Sequence, residues 1–106
     1  MHAIIHEHRD ELIALARRSH VRHLEVFGSA ATGDFEPGKP DVDLLVKFDV
    51  DAMESALHGY VGFIRAAEER FGGKVDVLNP DYVHNPYLRR GIDASRRELF
   101  RSDHAA

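Results

Sequence analysis

Apolar residues fall on a helical repeat from the start of the chain. Ile4, Ile5, His8, Leu12, Leu15 and Ala16 share one stripe at the 3.6-residue period, which predicts a helix from about residue 2 to Ser19. The pattern then shortens: His23 to Phe27, HLEVF, predicts a short strand that stops at Gly28. Gly28 to Pro40 carries three glycines and two prolines and reads as turn and loop. Asp41 to Phe48 is the clearest strand, with Val42, Leu44, Val46 and Phe48 on one face and Asp41, Asp43, Leu45 and Lys47 on the other. Asp51, with Glu54 three positions later, is an N-cap. It opens a helix whose stripe is Met53, Leu57, Tyr60, Val61, Ile64, Ala67 and Phe71, closed by Gly72-Gly73. Lys74 to Leu78 predicts a third strand, Val75 and Val77 on one face and Asp76 on the other. Asn85-Pro86 caps a last helix, which Leu88, Ile92, Ser95 and Leu99 carry to about Arg101.

The order α-β-loop-β-α-β-α predicts an α/β (α+β) fold, a short sheet with helices packed on one face. At 106 residues it forms one domain, 1–106, with a core small enough that an oligomer or a permanent partner is expected. With 43% hydrophobic and 30% charged residues the chain has a globular balance, which sets disorder aside. The absence of cysteine excludes disulfides and thiolate metal sites and suits a reducing cytosol. The first residues, MHAIIHE, carry no signal-peptide pattern, and no apolar run approaches the roughly 20 residues that span a bilayer. The expectation is a cytoplasmic protein with no membrane association. A net charge of −4 argues against direct gripping of nucleic-acid backbone. Arginines cluster at Arg17, Arg18 and Arg22 and at Arg89, Arg90, Arg96, Arg97 and Arg101, and read as solvated helix faces, the alternative being service to an acidic partner or a nucleotide.

Strand alternation has a chemical consequence. If Val42, Leu44, Val46, Val75 and Val77 face the helices, Asp41, Asp43 and Asp76 gather on the opposite face. Two like charges 4 Å apart cost about 4 kcal/mol at an effective dielectric of about 20. Such a trio is stable when spread in water or when gathered around a divalent cation. Mg²⁺ takes carboxylate oxygens together with phosphates. Two residues apart on one face, at about 7 Å, Asp41 and Asp43 can bridge two ions roughly 3.5–4 Å apart. A phosphate binder belongs beside them, and Gly28-Ser29 follows a strand directly. Glycine lets backbone N–H groups approach an anion, Ser29 adds a hydroxyl, and a short helical turn over 30–32 would aim its dipole at the same anion. Asp-x-Asp at a strand end is usually a solvated end, and Gly-Ser is usually a turn. Their joint order is far more specific.

That order resembles a known family. Residues 27–46, FGSAATGDFEPGKPDVDLLV, resemble the signature of the DNA polymerase β nucleotidyltransferase superfamily: Gly-Ser, a spacer, then Asp-x-Asp. More narrowly, the small size, the late Asp76 in KVDVL and the tail NPYLRRGIDASRREL resemble the minimal nucleotidyltransferases encoded as antitoxins beside HEPN-domain RNase toxins. The likeness covers nearly the whole chain and implies the small nucleotidyltransferase fold with a short mixed sheet. It implies that Asp41 and Asp43 bind two Mg²⁺ ions and that Asp76 completes the ion activating the acceptor hydroxyl. Gly28 and Ser29 would hold the β- and γ-phosphates of ATP. The implied reaction is in-line attack of a hydroxyl on the α-phosphate, releasing pyrophosphate. In that group the acceptor is a tyrosine of the HEPN toxin, and its adenylylation silences the RNase. The chain departs from the pattern at three points. Thr32 stands where many relatives carry Arg, Pro40 where many carry Ser, and eleven residues separate Ser29 from Asp41, one more than the commonest form. Thr32 brings no phosphate cation, so the alternative is a catalytically weak antitoxin that neutralises its toxin by binding alone.

Other signals carry less. Gly33 to Pro40 nearly matches a P-loop, but Pro40 replaces the Ser or Thr that would meet Mg²⁺, and a strand follows instead of a helix. His2, His6 and His8 read as surface histidines, His58 and His84 as structural. Tyr60, Phe63 and Phe71 read as core or partner surface, while Tyr82 and Tyr87 lie close to the turn after the Asp76 strand.

Overall fold

A computed structural model describes residues 3–33, 42–49 and 53–102, the side chains of 53–59 excepted. Helix α1 (Ala3–Arg18) leads to β1 (Val21–Phe27), a one-turn helix α2 (Ser29–Thr32), β2 (Val42–Phe48) and α3 (Met53–Phe71). Then come β3 (Val75–Leu78), a 3-10 turn (Pro80–Tyr82), α4 (Pro86–Ser95) and β4 (Arg97–Arg101). The sheet order is β3-β2-β1-β4. Strand β2 runs parallel to β3, and β1 runs antiparallel to both β2 and β4.

The predicted α1 stripe is the buried one: Ile5, Leu12, Leu15 and Ala16 pack into the core. His20, at φ +60, turns the chain from α1 into β1. The main core lies on one sheet face, where Leu24, Val26, Val42, Leu44, Val46 and Val75 meet α1 and α3. Helix α3 presents Phe63, Ala67 and Phe71. Its buried face is rotated from the expected stripe, because Phe63 is fully buried whereas Val61 is exposed. Gly72, at φ +67, ends α3 with its N–H on Glu68 O. The Asp51 cap lies outside the described residues. Asn85 caps α4 as expected, its side chain accepting from the amides of Tyr87 and Leu88. Among the described residues no helix is long and apolar enough to cross a membrane.

The C-terminal segment differs from its prediction. Helix α4 stops at Ser95, and Arg97–Arg101 forms a fourth strand instead of continuing the helix. Arg96 is extended, at φ −60 and ψ 138, and Leu99 joins the main core from β4. Burial of Leu99 against the sheet and pairing with the open edge of β1 outweigh the helical spacing of Ile92, Ser95 and Leu99. The helices do not all pack on one face as expected: α4 meets the second face of the sheet, where Ile92 packs on Phe27 and Leu45 in a smaller apolar cluster.

Candidate active site

Three strand ends meet at one edge of the sheet: the C-terminus of β1 and the N-termini of β2 and β3. In the register, Phe27 faces Asp43 across the antiparallel pair, and Asp43 faces Asp76 across the parallel one. Val42 and Val75, one step earlier on each strand, are buried on the helix side. Period-two alternation therefore turns both acids to the second face. Neighbouring strands lie about 4.8 Å apart, so the two carboxylates stand side by side. Asp43 is half-buried and Asp76 exposed, with Lys74 Nζ 3.7 Å from Asp76 Oδ1. Asp41, the third predicted acid, lies outside the described residues.

Gly28 ends β1 against this pair. It adopts φ 70 and ψ −150, a conformation that L side chains rarely take. A Cβ at this position would lie 2.8 Å from Asp43 Oδ2. Only a glycine lets the backbone come so close to the carboxylate. Gly28 O accepts from the amides of Ala31 at 3.1 Å and Thr32 at 3.2 Å, and Ser29 O accepts from Gly33 N at 2.9 Å. The amides of Ser29 and Ala30 precede the first of these bonds, the place where a helix start leaves its donors for a ligand. The predicted short helical turn is thus present. The Gly28 N–H is already given away, to Ser95 Oγ at 2.9 Å. Of the amides at the start of this turn, those of Ser29 and Ala30 are the ones an anion could meet. Thr32 turns its hydroxyl back onto Ser29 O at 3.4 Å.

An ion pair supports the site from behind. Glu25, next inward from Phe27 on the same face of β1, is only 5% exposed. Arg96 grips it with two parallel bonds, Nε to Oε2 at 2.7 Å and Nη2 to Oε1 at 2.6 Å, and reaches Asp93 Oδ1 at 2.8 Å. The Arg96 hydrogen bond outweighs the desolvation of Glu25, so the carboxyl is held below its usual range. Arg96 is raised in turn, chiefly by the same bond. Neither role is legible in the sequence, where Arg96 reads as a solvated helix residue and Ser95 as one more stripe position. Strand alternation puts Glu25 on the Phe27 face of β1, but its partner Arg96 lies 71 positions away.

Asp43 and Asp76 offer hard oxygen donors on one face beside a backbone cradle, a donor set suited to a divalent cation shared with phosphates. Among the described residues no three His, Asp or Glu side chains gather into a metal-binding group. A cleft of about 410 Å³ lies at the other end of β2 and β3, lined by Phe48, Tyr60, Val77 and Tyr82, away from the acids. Tyr82 and Tyr87 project into solvent.

Residues 5–99 match the family described as "Nucleotidyltransferase domain". The chain belongs to that family. This nucleotidyltransferase is 33% identical over 73 residues to a Methanocaldococcus jannaschii protein named "Putative protein adenylyltransferase MJ1379", covering 69% of this chain and 71% of the relative. Its fold is similar to a solved "putative minimal nucleotidyltransferase", with a TM-score of 0.70 and 26% identity over 88% of this chain and 90% of the other. Two toxin–antitoxin complexes share the fold at lower identity. One, with AMP-PNP, gives a TM-score of 0.64 at 15% identity, covering 90% of this chain and 74% of the other. The second, tri-AMPylated Shewanella oneidensis HEPN toxin with MNT antitoxin, gives 0.57 at 13%, covering 92% and 72%. The expected mixed-sheet nucleotidyltransferase fold is the observed one.

Proposed function

We propose that this nucleotidyltransferase moves AMP from ATP to a hydroxyl on a partner protein, a tyrosine of a HEPN-type RNase toxin, and so serves as a cytoplasmic antitoxin. The observation that carries the reading is the placement of the Gly28 turn against Asp43, so close that a Cβ would clash with its carboxylate, beside Asp76. The name of the similar M. jannaschii protein and the AMPylated toxin in a structural neighbour support the same chemistry.

Each residue then has a task. The Ser29 hydroxyl and the amides of Ser29 and Ala30 take the terminal phosphates of ATP. Gly28 gives the close approach that brings those phosphates beside Asp43. Asp41, Asp43 and Asp76 would hold two Mg²⁺ ions, which supply charge to offset the triphosphate and lower the pKa of the acceptor hydroxyl. The acceptor oxygen bonds to the α-phosphorus and the bond from that phosphorus to the pyrophosphate oxygen breaks. Pyrophosphate leaves, and the hydroxyl proton is released. Most of the catalytic effect of such a site is positioning and charge stabilisation.

The test is co-expression with the partner toxin, followed by intact-mass measurement of the toxin. An AMP-sized increase that depends on Mg²⁺ and ATP, and is lost in Asp43→Asn, is expected; an unmodified toxin refutes the reading. Thr32 favours a second reading, because it places no cation at the turn. In that case the chain neutralises its toxin by masking alone, and Asp43→Asn still neutralises it.

A further inference from the structure

We propose that Ser95 is a positioning residue for the phosphate-binding turn, holding Gly28 so that the Ser29 and Ala30 amides face their ligand. This rests on the reading of Gly28-Ser29 as the seat of the ATP phosphates. The β1–β4 register pairs Val26 with Arg97; carried two steps further, it sets Gly28 opposite Ser95. At that point the chain has already turned into α4, and no ladder carbonyl is there to receive the Gly28 amide. The Ser95 hydroxyl takes that role, accepting from Gly28 N at 2.9 Å and sitting 3.0 Å from Gly91 O, to which it donates. Ser95 is 8% exposed, so water is a poor substitute.

Its own place is fixed on both sides. The Arg96 amide bonds to Ile92 O at 2.8 Å, and the Arg96 side chain is locked onto Glu25. Gly28 has no side chain by which the turn could be held, so its N–H anchors the Phe27–Gly28 peptide just before the turn, while its carbonyl is held by the amides of Ala31 and Thr32. Through this bond, the end of α4 determines where the amides of Ser29 and Ala30 point.

The test compares Ser95→Ala and Ser95→Thr in the full chain, by calorimetry with Mg²⁺ and ATP and by amide hydrogen exchange. Ser95→Ala is expected to weaken ATP binding about tenfold, the worth of one hydrogen bond. The Gly28 amide exchanges faster while those of Val26 and Leu44 keep their protection, and Ser95→Thr restores both properties. Exchange that quickens uniformly across the sheet means a merely structural serine and overturns the proposal. So does unchanged Gly28 exchange, or a freed Gly28 amide with unaltered ATP affinity. If the unaltered chain binds no ATP, the phosphate seat itself is refuted, and the proposal of an ATP-positioning serine falls with it. The exchange data separate that failure from a failure of the Ser95–Gly28 bond.

Discussion

Replacing Gly28 with alanine separates the two demands placed on that position. The first is conformational: φ 70 with ψ −150 is a glycine region, and holding an L residue there costs about 1–3 kcal/mol. The second is steric, since the new methyl group would stand 2.8 Å from Asp43 Oδ2. That atom is the tip of a side chain, so Asp43 yields by rotating rather than by distorting the sheet. The strain therefore appears in stability, and the clash appears in ligand binding. At roughly 5 °C per kcal/mol for a domain of this size, the melting temperature should fall by about 5–15 °C. Binding of Mg²⁺-ATP should be lost even well below the transition, because the carboxylate has moved. Gly33→Ala is the control. Gly33 also has positive φ, at 89, but a Cβ there meets nothing within 4 Å. It should lose about 1 kcal/mol of stability and retain nucleotide affinity. Thermal melts and calorimetry on both variants decide the matter. Gly28→Ala with native affinity, or Gly33→Ala with an equal loss of it, would refute the steric argument.

Other expectations follow from the same contacts. Arg96→Ala strands the buried Glu25 carboxylate and should cost about 3 kcal/mol in urea unfolding, the low end for a broken buried pair because Arg96 is partly solvated. The folded-state pKa of Glu25 is depressed, so its stabilisation is fully present above the unfolded value of 4.5 and is lost as pH falls through the folded value. Acid titration of stability should therefore steepen below about pH 4.5, and less so in Glu25→Gln. Tyr60→Phe removes the bond from its hydroxyl to Val77 O at 3.1 Å and should cost about 1 kcal/mol by denaturant melt. Asn85→Ala uncaps α4 and should cost about 1 kcal/mol by the same measurement.

What could be read from the sequence was whatever neighbours along the chain decide. The α1 stripe, the alternation of β2 and β3, the Gly72 stop and the Asn85 cap are local, and each is where periodicity put it. The side-by-side placement of Asp43 and Asp76 also follows from alternation, once the two strands pair. The misreadings involve distant partners. Strand β4 exists because β1 had an open edge, and the residue that ends α4 is held by Glu25, 71 positions away. Ser95 meets Gly28 across 67 positions. In α3 the expected stripe ran through Val61 and Ile64, and packing against α1 and the sheet buries Phe63 instead.

The parallel ladder between β2 and β3 also governs reactivity. A slip of one residue between them would send Asp76 into the apolar interior and bring a valine out beside Asp43. Spacing between the two acids is thus an attribute of strand alignment, and no moving loop has to bring that pair together. An extra residue in the Gly72-Gly73 bend should leave the pair intact, whereas one inserted inside β3 should abolish it.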